Sequence, residues 1–165
     1  MEQNLRSGAR FFGMESMVGA AAGSVGTVPM TLFMFAAHQW LPGWQQYALP
    51  PEKITQEAAE RADVKLNKPQ LLGASLTAHL GYGASMGSLY NMFARSVALP
   101  TVVKGGMFGV LVWGASYLGW LPAASFSVAA PEEPLKRNIF MIGAHIIWGV
   151  TTAVVIDQVE RHLPL

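Results

Sequence analysis

Two histidines occur in matching motifs, and both motifs lie inside long stretches without charged residues. His79 is in residues 78–83 and His145 in residues 144–149, and both segments fit the pattern Ala-His-x-x-aromatic-Gly. An ionisable side chain inside a bilayer is costly, so its presence there is a hypothesis of function. Imidazole can relay protons or ligate haem iron, and it can also hydrogen-bond to a neighbouring helix and fix its packing. The motifs therefore predict a functional site inside the membrane. The alternative is that the two histidines only fix helix packing.

Three further residues complete the candidate intramembrane polar site. Tyr82 and Trp148 are the aromatic residues of the two motifs, and Glu15 lies near the start of the first apolar stretch. If the helix begins near Met17, Glu15 is an interfacial acid. If the helix begins earlier, Glu15 is a buried counter-ion for Lys104 or for a histidine.

The sequence contains none of the familiar patterns of catalytic, phosphate-binding or metal-binding sites. The chain has no cysteine, which excludes disulfides, iron–sulfur ligation and thiolate catalysis. Its formal net charge of +1 provides no basic field for a nucleic acid. We therefore predict a protein without enzymatic activity, a metal site or a nucleic-acid partner. Haem b, ligated by the two histidines, is the one cofactor alternative.

Four apolar stretches are long enough to cross a bilayer, which takes about 20 residues. They span approximately residues 11–41, 71–93, 102–121 and 138–156. Only 13% of the residues are charged, about half the roughly 25% of a typical soluble domain, so much of the surface must face something other than water. The sequence predicts a single all-α membrane domain with four transmembrane helices.

Residues 42–70 form the one sizeable polar segment. Pro50 and Pro51, followed by Glu52, are typical of a helix start, because proline fits the first turn and acids favour the positive end of the helix dipole. Apolar residues then recur every four positions, at Ile54, Ala58, Ala62 and Leu66. This pattern predicts a short amphipathic helix at the membrane surface, which either covers its own bundle or docks a partner.

An internal repeat relates the two halves of the chain. Trp-Leu-Pro occurs at residues 40–42 and again at 120–122, and each time a histidine motif follows in the next apolar stretch. The order predicts two tandem helical hairpins, residues 11–95 and 102–157, in the same orientation, with residues 42–70 inserted in the first. Each histidine then lies about 12 Å deep, and the two face each other across a pseudo-twofold axis.

Small residues spaced four apart predict close contacts between helices, because they let helix backbones approach. The pattern does not separate packing within the chain from packing in a homo-oligomer. The glycines concerned are Gly19, Gly23, Gly83, Gly87, Gly105 and Gly109.

Four segments together carry a family resemblance. They are residues 49–55 (LPPEKIT), 79–90 (HLGYGASMGSLY), 113–122 (WGASYLGWLP) and 144–149 (AHIIWG). In these segments the chain resembles a group of small bacterial membrane proteins and is distantly similar to the YagU-like inner-membrane family. The resemblance covers most of the chain from about residue 13 and implies a bacterial inner-membrane location. It supplies no catalytic or ligand residues.

Three functions remain open at this point. The leading hypothesis is a structural or accessory component of a larger membrane assembly, which works by helix packing in the lipid bilayer. The alternatives are a small transporter or proton-conducting unit that uses His79 and His145, and a bis-histidine haem b electron carrier. Arg6 and Arg10 beside the first span favour both termini in the cytoplasm, whereas residues 136–137 beside the last span favour the reverse.

Overall fold

The apolar stretches form long helices in the structure, a computed structural model that describes residues 2–162 and their side chains from residue 13 onward. A π-helical turn, Ala115–Trp120, joins the fourth helix to the fifth, and the loops contain two 3₁₀ turns, Gly43–Gln45 and Ala130–Glu132. Every regular element within residues 2–162 is helical. The α-helices are α1 (Glu2–Gln39), α2 (Pro50–Arg61), α3 (Lys68–Arg95), α4 (Thr101–Gly114), α5 (Leu121–Ala123) and α6 (Leu135–His162).

Local sequence determines where α2 and α3 begin. Helix α2 starts at Pro50, as the double proline predicts, and ends at Arg61, so the predicted apolar stripe extends beyond the helix. The chain turns there through Asp63, which has a φ of 55°. Helix α3 begins with a capping box, in which the Asn67 side chain accepts from the Gln70 amide and the Gln70 side chain accepts from the Asn67 amide.

Within residues 13–162, three helical stretches are long and apolar enough to cross a membrane, and they are Gly13–Gln39, Thr101–Ala123 and Leu135–His162. The sequence predicts four such spans, and by length and apolarity the structure has one fewer within these residues. Helix α3 is as long as α6. Its apolar stretch has a lower mean hydropathy than those of the other three long helices, because it contains several glycines and serines, His79 and Asn91. The small and polar residues of α3 include those that it buries against its neighbours, namely Ser75, Gly83, Gly87 and Asn91.

The four long helices form a bundle in which neighbours are antiparallel. Helix α1 packs along α3 and α6, and α6 packs along α4, whereas α3 and α4 touch only sparsely. The bundle therefore has three close interfaces and one loosely packed interface, between α3 and α4.

Glycines form the two closest interfaces. Between α1 and α3, a Cβ added at Gly23 would overlap the backbone of Gly83 and Gly87. Between α4 and α6, a Cβ at Gly149 would overlap the backbone of Gly105 and Gly109. All six glycines of the predicted packing patterns lie at these two interfaces within the chain.

Candidate functional site

A cavity of about 220 Å³ lies inside the bundle at the end that α2 covers. His79 and Tyr82 from α3, and His145 and Trp148 from α6, all line this cavity, which we call the histidine cavity. Helices α1, α2 and α4 and the π-helical turn complete its wall. Four of the five residues of the candidate polar site thus share one cavity.

Glu15 lies elsewhere, near the opposite end of the bundle. Its side chain is buried and forms an ion pair with Arg95 at the end of α3. Its backbone carbonyl accepts from the Asn91 side chain at 3.2 Å. The partner of this acid is therefore the arginine of the neighbouring helix.

A second cavity of about 400 Å³ surrounds Glu15. Arg95, Lys104, Asp157 and Glu160 also line this cavity, and we call it the charged cavity. Its charged residues come from α1, α3, α4 and α6, which are far apart in sequence. A search for motifs does not detect such a cluster, because only the antiparallel packing of the helices brings its members together.

The contacts of His79 determine which ring nitrogen carries the proton when the ring is neutral. His79 Nδ1 lies 3.3 Å from Thr31 Oγ1, and the Thr31 hydroxyl donates to the Thr27 carbonyl at 2.7 Å. Because a hydroxyl has one proton to donate, the proton between His79 and Thr31 must come from Nδ1. His79 Nε2 is then a hydrogen-bond acceptor.

The same argument applies to His145. Its Nδ1 lies 2.8 Å from the carbonyl oxygen of Met141, and a carbonyl can only accept. In the neutral ring Nδ1 therefore carries the proton, and Nε2 is the acceptor. Neither Nε2 atom has a hydrogen-bond partner within residues 13–162. Both rings thus contribute an unused acceptor to the cavity wall.

The other polar groups around Tyr82 have already donated their protons. Ser116 Oγ donates to the Val112 carbonyl at 2.8 Å. The contact of 2.8 Å between Tyr82 and Ser116 is therefore donated by the Tyr82 hydroxyl, which in turn accepts from Trp120 Nε1 at 3.4 Å. These donors all have protein acceptors.

The remaining donors of the wall follow the same pattern. Thr27 Oγ1 and Trp148 Nε1 both donate to the Gly23 carbonyl, at 2.8 and 2.9 Å. The Tyr117 hydroxyl has the weakest acceptor, Met141 Sδ at 4.0 Å. The donors of the wall are therefore paired, only weakly at Tyr117, and the unused hydrogen-bonding capacity of the cavity is that of acceptors, among them the two histidine Nε2 atoms.

The π-helical turn Ala115–Trp120 shapes the wall on the α4 side. It contributes Ser116, Tyr117 and Trp120 to the cavity, and its backbone departs from helical geometry at Gly119 (φ −116°, ψ −105°). Pro122 follows it and has no amide proton to donate back into the helix, so the preceding turn must adapt. Such π-helical turns occur frequently at functional sites. We did not predict this turn, although Pro122 is a signal for it.

Helix α2 covers the end of the cavity with Pro50, Pro51, Ile54 and Thr55. Its last residue, Arg61, donates to the carbonyls of Ala124 and Ser125 at 2.8 and 2.9 Å and lies over the Phe126 ring. The amphipathic helix therefore packs on its own bundle.

Arg137 holds the loop before α2 in place, a role that sequence reasoning missed. Its buried guanidinium donates to the carbonyls of Gln45 and Ala48 at 2.9 and 2.8 Å and lies 3.7 Å from the centre of the Tyr47 ring. The Tyr47 hydroxyl donates to Glu133. Burial and this hydrogen bond raise the pKa of Tyr47 to about 12, so the hydroxyl remains a donor at neutral pH.

The histidine cavity is small for a haem. Pockets for small-molecule ligands usually measure about 300–1,000 Å³, and haem is at the large end of such ligands. The cavity of about 220 Å³ lies below this range. Within the described part of the chain, no group of three or more His, Asp or Glu residues is arranged to hold a metal ion.

Comparison with known proteins identifies one family. No curated protein and no solved structure matches the chain. A family model described as "Protein of unknown function (DUF1440)" matches residues 42–154, more than half of the chain. The matched segment includes α2, α3, α4 and most of α6, with both histidines. The chain therefore belongs to this family of unknown function, DUF1440.

Proposed function

We propose that this chain is an integral membrane protein without enzymatic activity that binds a small organic solute in the histidine cavity, as a small transporter would. One observation carries the proposal: the two histidines, from different helices, line a single cavity and each has an unused Nε2 acceptor. Neutral imidazoles that served only to fix packing would be expected to use both ring nitrogens in contacts between helices.

The surface of the bundle supports a membrane location. Besides the three apolar spans, α3 has no charged residue between positions 71 and 93 and exposes Leu72, Leu76, Leu80 and Leu89. We infer that α3 crosses the bilayer with the other three helices. Trp40 and Trp44 are 81% and 73% exposed just after α1, as expected for side chains at a membrane interface.

Four crossings place both termini on the same side of the membrane. The resemblance to the YagU-like inner-membrane family favours a bacterial inner membrane. Arg6 and Arg10 favour a cytoplasmic location for the termini, and their side chains lie outside the described residues.

The wall of the cavity indicates the class of solute. A cavity of about 150 Å³ is known to hold benzene, so about 220 Å³ accommodates a single substituted aromatic ring. The wall is mostly aromatic and aliphatic, and the described residues contribute no Asp, Glu, Lys or Arg to it. The free acceptors require a donor on the solute. A small neutral alcohol, phenol or indole fits these conditions.

Phenol is expected to bind the purified protein more tightly than anisole, its methyl ether, which has the same ring but no donor. The difference should be about 2- to 10-fold in Kd, since one hydrogen bond contributes about 0.5–1.5 kcal/mol. Replacing both acceptors, in the double variant His79→Phe/His145→Phe, should remove most of this preference, because either unused Nε2 can accept from the single phenol hydroxyl. Trp120 and Trp148 line the cavity, so tryptophan fluorescence in detergent can measure both affinities.

The matched control is His38→Phe, because His38 lies outside the cavity and bonds the Tyr47 carbonyl at 3.1 Å. This variant should keep the preference for phenol. Equal, saturable binding of phenol and anisole to the unmodified protein would contradict the proposed hydrogen bond. Absence of saturable binding for both would contradict the solute site itself.

The structural or accessory role stays a prediction. A larger protein that co-purifies stoichiometrically in mild detergent, together with the absence of solute binding, would favour that role. Proton conduction uses the same histidines and would be detected as histidine-dependent proton flux in liposomes without added solute. The haem b alternative needs more space than the cavity provides.

A further inference from the structure

The two cavities follow one another along the loosely packed α3–α4 interface. On α3, the histidine cavity includes Tyr82 and Met86, and the charged cavity begins at Tyr90. On α4, the histidine cavity includes Val112 and the charged cavity includes Lys104. The two cavities thus occupy opposite ends of the same interface, where the helix backbones are not in close contact.

A layer of aromatic side chains separates the cavities. The Phe108 ring lies 5.4 Å from the Tyr90 ring, 5.2 Å from the Phe93 ring and 5.9 Å from the Trp148 ring, measured between ring centres. Trp148 lines the histidine cavity and Tyr90 lines the charged cavity, whereas Phe108 lines neither. Phe108 therefore fills the space between the two cavities. Because side chains and not backbone separate the cavities, rotation of side chains can connect them.

The charged cavity suits the entrance of a path for a neutral solute. It contains the carboxylates of Glu15, Asp157 and Glu160 and the cations of Arg95 and Lys104. Charges of both signs keep such a space hydrated, and their near balance leaves no strong field that would exclude an uncharged molecule. The cavity also lies at the end of the bundle opposite α2, so the two cavities approach opposite membrane surfaces.

We infer that a permeation path for a small neutral hydrogen-bond donor, such as an alcohol or phenol, runs along the α3–α4 interface from the histidine cavity to the charged cavity, with Phe108 as its gate. The inference rests on the proposed function, because it gives the solute of the histidine cavity an exit to the other side of the membrane. Tyr90 and Trp148 hold the gate closed by packing on either side of Phe108.

Thiol labelling can test the gate, since the natural chain contains no cysteine. Val112→Cys places a single thiol in the wall of the histidine cavity, and Ala94→Cys places one in the charged cavity. A membrane-impermeant trimethylammonium methanethiosulfonate reagent is added to one side of proteoliposomes at a time. The side from which Ala94→Cys reacts identifies the face on which the charged cavity opens.

From that face, Phe108→Ala should accelerate labelling of Val112→Cys by roughly tenfold, which corresponds to a barrier lower by about 1.4 kcal/mol. Phenol should slow this labelling by occupying the path. Phe33→Ala is the matched control, because Phe33 packs against Phe140 and lines neither cavity. If Phe108→Ala does not fold, Phe108→Leu removes less volume and should give a smaller acceleration.

Phenol binding, measured on the same proteins, separates the two proposals. If phenol binds and labelling of Val112→Cys is unchanged in both Phe108 variants, the path is overturned and the solute site stands. If neither the unmodified protein nor any variant binds phenol, both the proposed function and the path are overturned. Equal acceleration by Phe33→Ala would indicate general loosening of the bundle and would also overturn the gate.

Discussion

Gly87→Ala is expected to lower the free energy of unfolding by about 1–3 kcal/mol, the usual cost of added volume in a well-packed interior. A Cβ at Gly87 would overlap the Gly19 carbonyl oxygen and lie against the backbone of Gly23. Helix backbone cannot move aside as the end of a flexible side chain can, so α1 and α3 must separate. Gly87→Leu should prevent the two helices from packing together. Denaturant unfolding in one detergent, followed by circular dichroism, measures both variants.

Gly81→Ala is the matched control on the same helix, since a Cβ at Gly81 would meet no atom within 4 Å. Alanine favours the helix over glycine by up to about 1 kcal/mol at either position, so the difference between the two variants isolates the packing effect. Gly81→Ala should be neutral or slightly stabilising. Equal stabilities for Gly81→Ala and Gly87→Ala would show that the α1–α3 interface is looser than the structure describes.

The positions of the helices were largely predictable, because each long helix needs a long apolar stretch and the charged residues mark the ends of those stretches. The number of spans was less predictable. Helix α3 packs Gly83, Gly87 and Asn91 against α1, and these residues contribute to its low mean hydropathy although they are buried. Mean hydropathy averages over all faces of a helix. It therefore cannot distinguish a helix with one polar face packed against a neighbour from a helix that is polar on every face.

The histidine cavity was partly predictable, since the repeated motif singled out His79, Tyr82, His145 and Trp148. The remaining features depend on contacts between distant residues. The ion pair of Glu15 and Arg95 joins the start of α1 to the end of α3, and the charged cavity joins four helices. No spacing rule links such residues before the helices are packed.

Arg137→Met is expected to destabilise the protein by about 3–5 kcal/mol, as is usual when one member of a buried ion pair is removed. Arg137 is only 4% exposed, and its guanidinium is the donor for the carbonyls of Gln45 and Ala48. Each buried carbonyl that loses its donor costs about 1–3 kcal/mol. Glu133, 3.7 Å from the guanidinium, would also lose its counter-ion.

The same change should release the loop that leads into α2 and so uncover the histidine cavity, because that loop is held to α6 by the Arg137 guanidinium. Cleavage by trypsin after Lys53, near the start of α2, should accelerate about tenfold for each 1.4 kcal/mol of local stability lost. Arg137→Lys keeps the charge but not the forked guanidinium that reaches two carbonyls. Its stability and its cleavage rate should therefore lie between those of Arg137→Met and the unmodified protein. Lys136→Met is the control, since Lys136 is the exposed neighbour of Arg137. If Arg137→Met and Lys136→Met have the same stability and the same cleavage rate, the arginine does not anchor the loop. The cover over the cavity is then held by other contacts, such as those of Arg61 and Tyr47.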